Sequence, residues 1–136
     1  MKKQITILIA DDNNLMRRTL SVLISGMKDA VLAGEAANGE EAIALAGELL
    51  PDIILMDINM SPVNGFEATR KILIQNRAAK IIGISLHNRP SYTKNMLKLG
   101  AKGYITKTAP HYEIIEAINT VASGGKYISR DIKDKG

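Results

Sequence analysis

The chain contains no cysteine and no tryptophan, and only 4% of its residues are aromatic. Without cysteine, disulfides and thiolate sites are excluded, and a reducing cytoplasm is the expected location. No apolar run approaches the roughly 18–20 residues that a membrane-spanning helix needs, so no membrane association is predicted. No G-x-G-x-x-G or G-K-[ST] loop follows a predicted strand, which argues against a nucleotide-binding site.

The remaining composition is typical of one globular domain. The chain has 136 residues, of which 46% are hydrophobic and 24% charged, so a sizeable core is expected and extensive disorder is not. The net charge of +4 is mildly basic. Because stacking aromatics are sparse, a direct nucleic-acid surface is not predicted.

The stretch around which the sequence is organised ends in a single carboxylate. Residues 53–56 read Ile-Ile-Leu-Met and run directly into Asp57, after a Pro-Asp pair that breaks the preceding element. Four consecutive apolar residues in this setting predict a strand that is buried on both faces. Such strands lie in the middle of parallel sheets, and ligands bind beyond their carboxyl ends. Asp57 is therefore expected at the centre of the functional site.

Strands and helices alternate along the whole chain. Apolar, β-branched runs predict further strands at residues 5–10, 30–36, 80–86 and 103–106. Between them, apolar residues recur with helical spacing, and Asn38 with Glu41 forms a capping-box pattern. This alternation predicts a parallel sheet with right-handed crossovers and helices on both faces. We expect an α/β, flavodoxin-like (βα)5 fold, a doubly wound sheet of strand order 2-1-3-4-5 in three layers, α/β/α.

Polar side chains that could bind a ligand or take part in a reaction follow four of the predicted strands. They are Asp11 and Asp12, Asp57, Ser85, and Lys107, after the first, third, fourth and fifth strands. In a parallel sheet these ends share one edge, so the side chains are expected to converge. Carboxylates about 4 Å apart repel by about 4 kcal/mol per pair near a surface, which a cation would relieve. A set of oxygen ligands without His or Cys suits Mg²⁺, and the D-x-D-x-D-G spacing of an EF-hand is absent.

A carboxylate beside a metal, an ammonium group and a hydroxyl is suited to phosphoryl transfer. An aspartate can attack a phosphoryl group and become an aspartyl phosphate. The metal and Lys107 would neutralise the phosphoryl oxygens, and Ser85 could donate a hydrogen bond to one of them. Each residue alone has an ordinary structural explanation, such as a helix cap or a turn. The prediction depends on all of them occupying strand-end positions together.

Four motifs at these strand ends carry a family resemblance. ADDNN at the first strand, ILMDINM at the third, ISLH at the fourth and GYITK at the fifth resemble the receiver domain of bacterial two-component response regulators. The likeness covers residues 5–129. Within the family, GEAANGEEAI, KLGAKGYITKTAP and EAINTVASGGKYIS are most similar to receivers of the NarL/LuxR type, which usually precede a helix-turn-helix domain that binds promoter DNA.

The resemblance implies a role for each site residue. Asp57 would accept a phosphoryl group from the phosphohistidine of a sensor kinase, in a signalling switch rather than a turnover enzyme. Asp12, Asp57 and the main-chain carbonyl of Asn59 would ligate Mg²⁺, with Asp11 acting through water. Lys107 would pair with the phosphoryl oxygens.

Ser85 and Tyr104 resemble the switch pair of the family. On phosphorylation the hydroxyl would move toward the phosphate and the aromatic ring would turn inward, which is a two-state element biased by one local charge change. The alternative for Tyr104 is a half-buried ring on a short edge strand.

Domain organisation and partners also follow from the resemblance. A receiver domain is expected over residues 1–126, and residues 127–136 would form a C-terminal tail or the start of a linker to an output domain. The implied partners are a sensor histidine kinase and, on phosphorylation, a second copy of the chain. DNA would be contacted only through an output domain outside this chain. A stand-alone regulator that acts by protein–protein binding is the alternative.

Two other functions compete with this interpretation. Hydrolases of the haloacid-dehalogenase type also use a strand-end aspartate and Mg²⁺, but they carry a second aspartate two residues later, where this chain has Asn59. An interaction domain with the same fold and an idle pocket would work independently of phosphate.

The sequence departs from the family pattern near the site. Ser61 stands where many relatives carry a proline and Pro62 follows it, so a different loop shape is expected. Thr108 replaces the proline that often follows the lysine, so a cis peptide is not expected there. Asn59 and His87 would flank the phosphoryl approach and tune the lifetime of the adduct.

Overall fold

The structure is a computed structural model that describes residues 4–86 and 89–133. Strands and helices alternate through these residues. The strands are β1 (Ile5–Ala10), β2 (Ala30–Ala36), β3 (Ile53–Asp57), β4 (Lys80–Ser85), β5 (Gly103–Thr106) and β6 (Tyr127–Ile128). The helices are α1 (Asn14–Ser25), α2 (Gly39–Leu49), α3 (Gly65–Gln75), α4 (Pro90–Leu99), α5 (His111–Ala122) and α6 (Arg130–Lys133). His87 and Asn88 lie outside the described residues, so the expectation for His87 stays untested.

All strand pairs are parallel, and the sheet order is β2-β1-β3-β4-β5-β6. The predicted flavodoxin-like order 2-1-3-4-5 is confirmed, with a sixth strand added beside β5. Every residue of the central strand β3 is buried, as its apolar run predicts. Alternate residues of the strands enter two apolar clusters, one containing Leu8 and Ile54 and the other Ile7 and Leu55. The two clusters form the cores on opposite faces of the sheet.

Asparagine side chains begin the first three helices. Asn13, Asn38 and Asn64 each accept a hydrogen bond from the backbone N–H three residues later, at 2.8–2.9 Å. These caps satisfy N–H groups that have no partner within the helix. The capping box predicted at Asn38 differs in one detail, because the Glu41 carboxylate accepts from the N–H of Ala37 at 2.9 Å.

The described part of the predicted C-terminal tail belongs to the sheet. Tyr127 and Ile128 pair with β5, and Ser129 after them is completely buried. The buried carboxylate of Glu113 accepts from the hydroxyl of Tyr127 at 2.8 Å and from the N–H of Arg130 at 3.0 Å. Without these residues β5 would be an edge strand with unpaired backbone groups. Where the receiver domain ends and a linker begins stays a prediction.

Among the helices of residues 4–86 and 89–133, none is long and apolar enough to cross a membrane.

Candidate functional site

Three carboxylates meet at the carboxyl edge of the sheet. One oxygen each from Asp11, Asp12 and Asp57 lies within 4.8 Å of the others. The register explains the meeting, because Ala10 of β1 lies opposite Met56 of β3 and the aspartates come directly after these residues. Asp11 and Asp57 are each 1% exposed, whereas Asp12 is exposed to solvent.

Among the described residues, one lysine reaches into this acidic cluster. The Lys107 Nζ lies 2.9 Å from Asp11 Oδ2 and 3.5 Å from Asp57 Oδ2. Ser85 pairs with Thr106 across β4 and β5, and the N–H of Lys107 donates to the Ser85 carbonyl at 2.8 Å. This backbone contact fixes where the lysine leaves the sheet. The nearer partner of the ammonium group is Asp11, a preference that the sequence did not predict.

The carboxyl group of Asp57 is an unfavourable place for a charge. Its pKa is raised from 3.8 to about 6, mainly by burial and to a smaller extent by the neighbouring Asp11 carboxylate. The N–H of Asn59, which donates to Asp57 Oδ1 at 3.0 Å, and the charge of Lys107 act in the opposite direction. The net result is that Asp57 still holds a proton at mildly acidic pH, where an ordinary aspartate has lost it, and added positive charge would lower its pKa.

The residues fit a divalent cation. Three carboxylates and one ammonium group leave two uncompensated negative charges when all are ionised. Asp11 Oδ2 is buried and makes no directional hydrogen bond, although Lys107 lies close to it. The ligand atoms offered are all oxygens, which Mg²⁺ prefers over the softer ligands of zinc or copper. The cluster therefore has the charge and the donor chemistry of a magnesium site.

Asn59 connects the acidic cluster to Ser85. Its Nδ2 donates to Ser85 Oγ at 3.1 Å, and Ser85 is completely buried. The sequence predicted only the main-chain carbonyl of Asn59 as a ligand and gave its side chain a place beside the phosphoryl approach. The contact with Ser85 depends on the distance between β3 and β4 and has no signal in the sequence.

Tyr104 lies behind Ser85 with its ring fully buried. Burial raises the pKa of its phenol to about 12, against a smaller lowering by a hydrogen bond with Ser85. β6 covers β5, so the alternative of a half-buried ring on an edge strand is wrong. Gly83 makes room for the ring, because a Cβ there would lie 3.1 Å from Tyr104 Cδ2. The switch role of the pair stays a prediction.

The loop after β3 turns back tightly over the site. The N–H of Gly65 donates to the Ile58 carbonyl at 3.1 Å, and a Cβ on Gly65 would overlap the carbonyl oxygen of Asp57. Only glycine lets α3 begin this close to the backbone of Asp57. The sequence identified the Asn-Gly pair here as a turn but missed this contact. The Ser61–Pro62 peptide is cis, and Lys107–Thr108 is not, as expected.

Comparisons with known proteins agree with this geometry. Residues 7–119 match the family model described as the response regulator receiver domain. The transcriptional regulatory protein DegU of Brevibacillus brevis is 38% identical over 127 residues, which are 93% of this chain and 54% of DegU. The response regulator GacA of Pseudomonas viridiflava is 35% identical over 128 residues, 94% of this chain and 60% of GacA.

A solved structure is similar over almost the entire chain. The crystal structure of a two-component response regulator of the LuxR family from Aurantimonas sp. SI85-9A1 superposes with a TM-score of 0.94 at 31% identity, covering 97% of this chain and 94% of that one. The chain spans little more than half the length of the curated relatives, at 54% and 60%. From its sequence, its fold and the residues at its sheet edge, the chain belongs to the response regulator receiver domain family.

Proposed function

We propose that this chain is a phosphorylation-controlled switch in which Asp57 accepts a phosphoryl group from a sensor histidine kinase in the cytoplasm. The observation that supports this most is the meeting of Asp57, Asp11 and Lys107 in one cluster, with the lysine 3.5 Å from Asp57 Oδ2. The cluster offers a nucleophile, a fixed cation and ligands for a second, divalent cation.

The chemistry is an in-line phosphoryl transfer. An Asp57 carboxylate oxygen forms the new bond to phosphorus while the phosphorus–nitrogen bond of the phosphohistidine breaks. The imidazole nitrogen leaves with the electron pair and is protonated. Lys107 and the hydroxyl of Ser85 bind the phosphoryl oxygens during this step.

Asp12, Asp57 and the main-chain carbonyl of Asn59 would hold Mg²⁺, with Asp11 acting through water. When bound, the ion supplies charge neutralisation at the phosphoryl oxygens. The acid of Asp57 must be deprotonated to serve as nucleophile, and positive charge at the cluster favours that form.

The output follows from Ser85 and Tyr104. A phosphoryl oxygen on Asp57 would accept a hydrogen bond from the Ser85 hydroxyl, whose oxygen accepts from Asn59 Nδ2, and the hydrogen bond of Ser85 with Tyr104 carries that change to β5. Because the relative DegU is a transcriptional regulatory protein, the output we propose is transcription, through a DNA-binding domain outside this chain and with dimerisation on phosphorylation. A stand-alone regulator that binds another protein is the second candidate.

Acetyl phosphate with Mg²⁺ tests the proposal. We expect an acid-stable, base-labile adduct of one phosphoryl group per chain by intact mass spectrometry, absent in Asp57→Asn and with EDTA. Glu48→Gln, which removes an exposed carboxylate of α2, is the matched control and should be modified like the wild type. Steady release of phosphate from small phosphomonoesters would instead indicate a hydrolase, and equal modification of Asp57→Asn would contradict the assignment.

A further inference from the structure

The C-terminal segment, residues 127–133, is attached to the strand that leads into Lys107. The N–H of Tyr127 donates to the Lys102 carbonyl at 3.1 Å, and the N–H of Ser129 donates to the Tyr104 carbonyl at 2.9 Å. These contacts place the C-terminal segment along the first half of β5, and the N–H of Thr106, which donates to Ser129 Oγ at 3.5 Å, extends the attachment to the end of the strand.

Asp131 of this segment contacts that turn directly. Thr106 Oγ1 donates to Asp131 Oδ2 at 3.0 Å, and Thr108 Oγ1 lies 3.4 Å from Thr106 Oγ1 as a donor. Thr106 is buried. The hydroxyls on both sides of Lys107 are thus joined, one through the other, to a single carboxylate.

The second oxygen of Asp131 argues against a purely stabilising role. Asp131 Oδ1 is buried and has no hydrogen-bond partner among the described residues. Asp131 as a whole is only half-buried, but a carboxylate oxygen buried without a partner still costs free energy, and packing alone does not explain it. The charge is retained where it holds the Thr106 hydroxyl.

We infer that Asp131 is a positioning residue for Lys107. The lysine has one backbone contact to the sheet, its N–H to the Ser85 carbonyl, and Asp131 fixes the turn from the other side. With the turn fixed, the ammonium group is preorganised to bind phosphoryl oxygens on Asp57. This inference rests on the proposed function of Asp57.

Coupling of this kind is reciprocal. If attachment of the C-terminal segment strengthens phosphoryl binding, phosphoryl binding must tighten the attachment by the same factor. The C-terminal segment is therefore expected to respond to a change at Asp57.

The test compares affinity for beryllofluoride, a phosphoryl analogue, with affinity for Mg²⁺ alone. In Asp131→Ala we expect beryllofluoride at saturating Mg²⁺ to bind about three- to tenfold more weakly, a usual size for coupling through intermediate residues. Affinity for Mg²⁺ alone should stay within about twofold, because Lys107 does not ligate the metal. Thr106→Val should reproduce the loss, whereas Thr106→Ser, which keeps the hydroxyl, should not.

Arg130→Ala is the matched control on the same segment. Its side chain is 63% exposed and pairs with Glu113 and Glu116 rather than with the Lys107 turn, so beryllofluoride should bind as in the wild type. By hydrogen exchange, beryllofluoride should slow the Ser129 amide in the wild type by the same factor as the affinity change, and leave it unaffected in Asp131→Ala.

Each result has one meaning. Unchanged beryllofluoride affinity in Asp131→Ala, or an equal loss of beryllofluoride and Mg²⁺ affinity, would overturn the positioning role while leaving the proposed function intact. Failure of the wild type to bind beryllofluoride would overturn the proposed function itself, and the positioning role with it.

Discussion

At the scale of single residues, the surroundings of Asp57 make its carboxyl group harder to ionise than that of an ordinary aspartate. Burial and the Asp11 carboxylate oppose ionisation of Asp57, while Lys107 lies closer to Asp11 than to Asp57. A divalent cation held by the cluster would bring the positive charge that this arrangement lacks and so favour the ionised form of Asp57. The apolar run before Asp57 was enough to predict that Asp57 lies at the end of a buried strand. Which of the two buried carboxylates Lys107 approaches more closely differs by only tenths of an ångström, and side-chain packing decides it.

The pKa of Asp57 predicts how stability depends on pH without metal. Because the folded-state pKa, about 6, lies above the ordinary 3.8, the folded chain binds the proton more tightly than the unfolded chain. The contribution to stability is complete below about pH 4 and is lost as the pH rises through about 6. The loss amounts to about 3 kcal/mol. Asp57→Asn should therefore be more stable than the wild type at about pH 8, and close to it at about pH 4, in urea unfolding with EDTA.

An exposed carboxylate outside the cluster provides the control for that prediction. Glu48→Gln removes the same formal charge from a solvent-exposed side chain of α2, so its stability should differ from the wild type by less than about 0.5 kcal/mol. A gain in Asp57→Asn that is equally large at both pH values would show that burial of the charge is not its cause.

At the scale of elements, β4 and β5 are shaped around the ring of Tyr104. Gly83 of β4 pairs with Tyr104 of β5, and a Cβ there would lie 3.0 Å from Met96 Cε and 3.1 Å from Tyr104 Cδ2. The absence of a side chain on β4 thus gives the buried ring its place between the sheet and α4.

Gly83→Ala should push the ring or Met96 aside. Overpacking of this kind costs about 1–3 kcal/mol, measured as a lower midpoint of urea unfolding. Gly47→Ala is the opposite case, because Gly47 is exposed within α2 and an alanine there should stabilise the helix by about 0.5–1 kcal/mol. A Gly83→Ala protein as stable as the wild type would mean that Tyr104 has room to move without cost.

Most elements could be predicted from local patterns, and the exceptions have physical reasons. The bounds predicted for β1, β2 and β5 are those observed, since each is an apolar run between turn residues. β4 ends at Ser85 rather than at residue 86, because Leu86 is already 65% exposed. β6 has two residues, too few to show any period, and its pairing is decided by the open edge of β5.

At the scale of the whole molecule, the site lies at the carboxyl ends of the strands, in a sheet with an apolar core on each face. The C-terminal segment supplies the last strand of that sheet, beside β5. The convergence of Asp11, Asp57 and Lys107 could be predicted because strand order alone brings their positions together. The hydrogen bonds from Glu113 and Thr106 to residues 127–133 could not be predicted, since the spacing of these residues in the sequence shows no pattern.

Removal of residues 127–136 tests whether this segment is part of the folded unit. The shortened chain loses the burial of Ile132, the partners of Glu113 and the strand beside β5. We expect the free energy of unfolding to fall by about 3 kcal/mol, mainly through lost apolar burial. Calorimetry that shows the same unfolding temperature for both chains would mean that residues 1–126 are complete on their own.

The most direct test of phosphoryl transfer to Asp57 identifies the modified residue. After reaction with acetyl phosphate and Mg²⁺, borohydride reduces an aspartyl phosphate to homoserine, which tandem mass spectrometry locates within a peptide. We expect homoserine at position 57 and at neither of the neighbouring acids Asp11 and Asp12. Homoserine at position 11 or 12 with an intact Asp57, or phosphate recovered on a histidine or serine instead, would contradict the assignment of Asp57 as the phosphoacceptor.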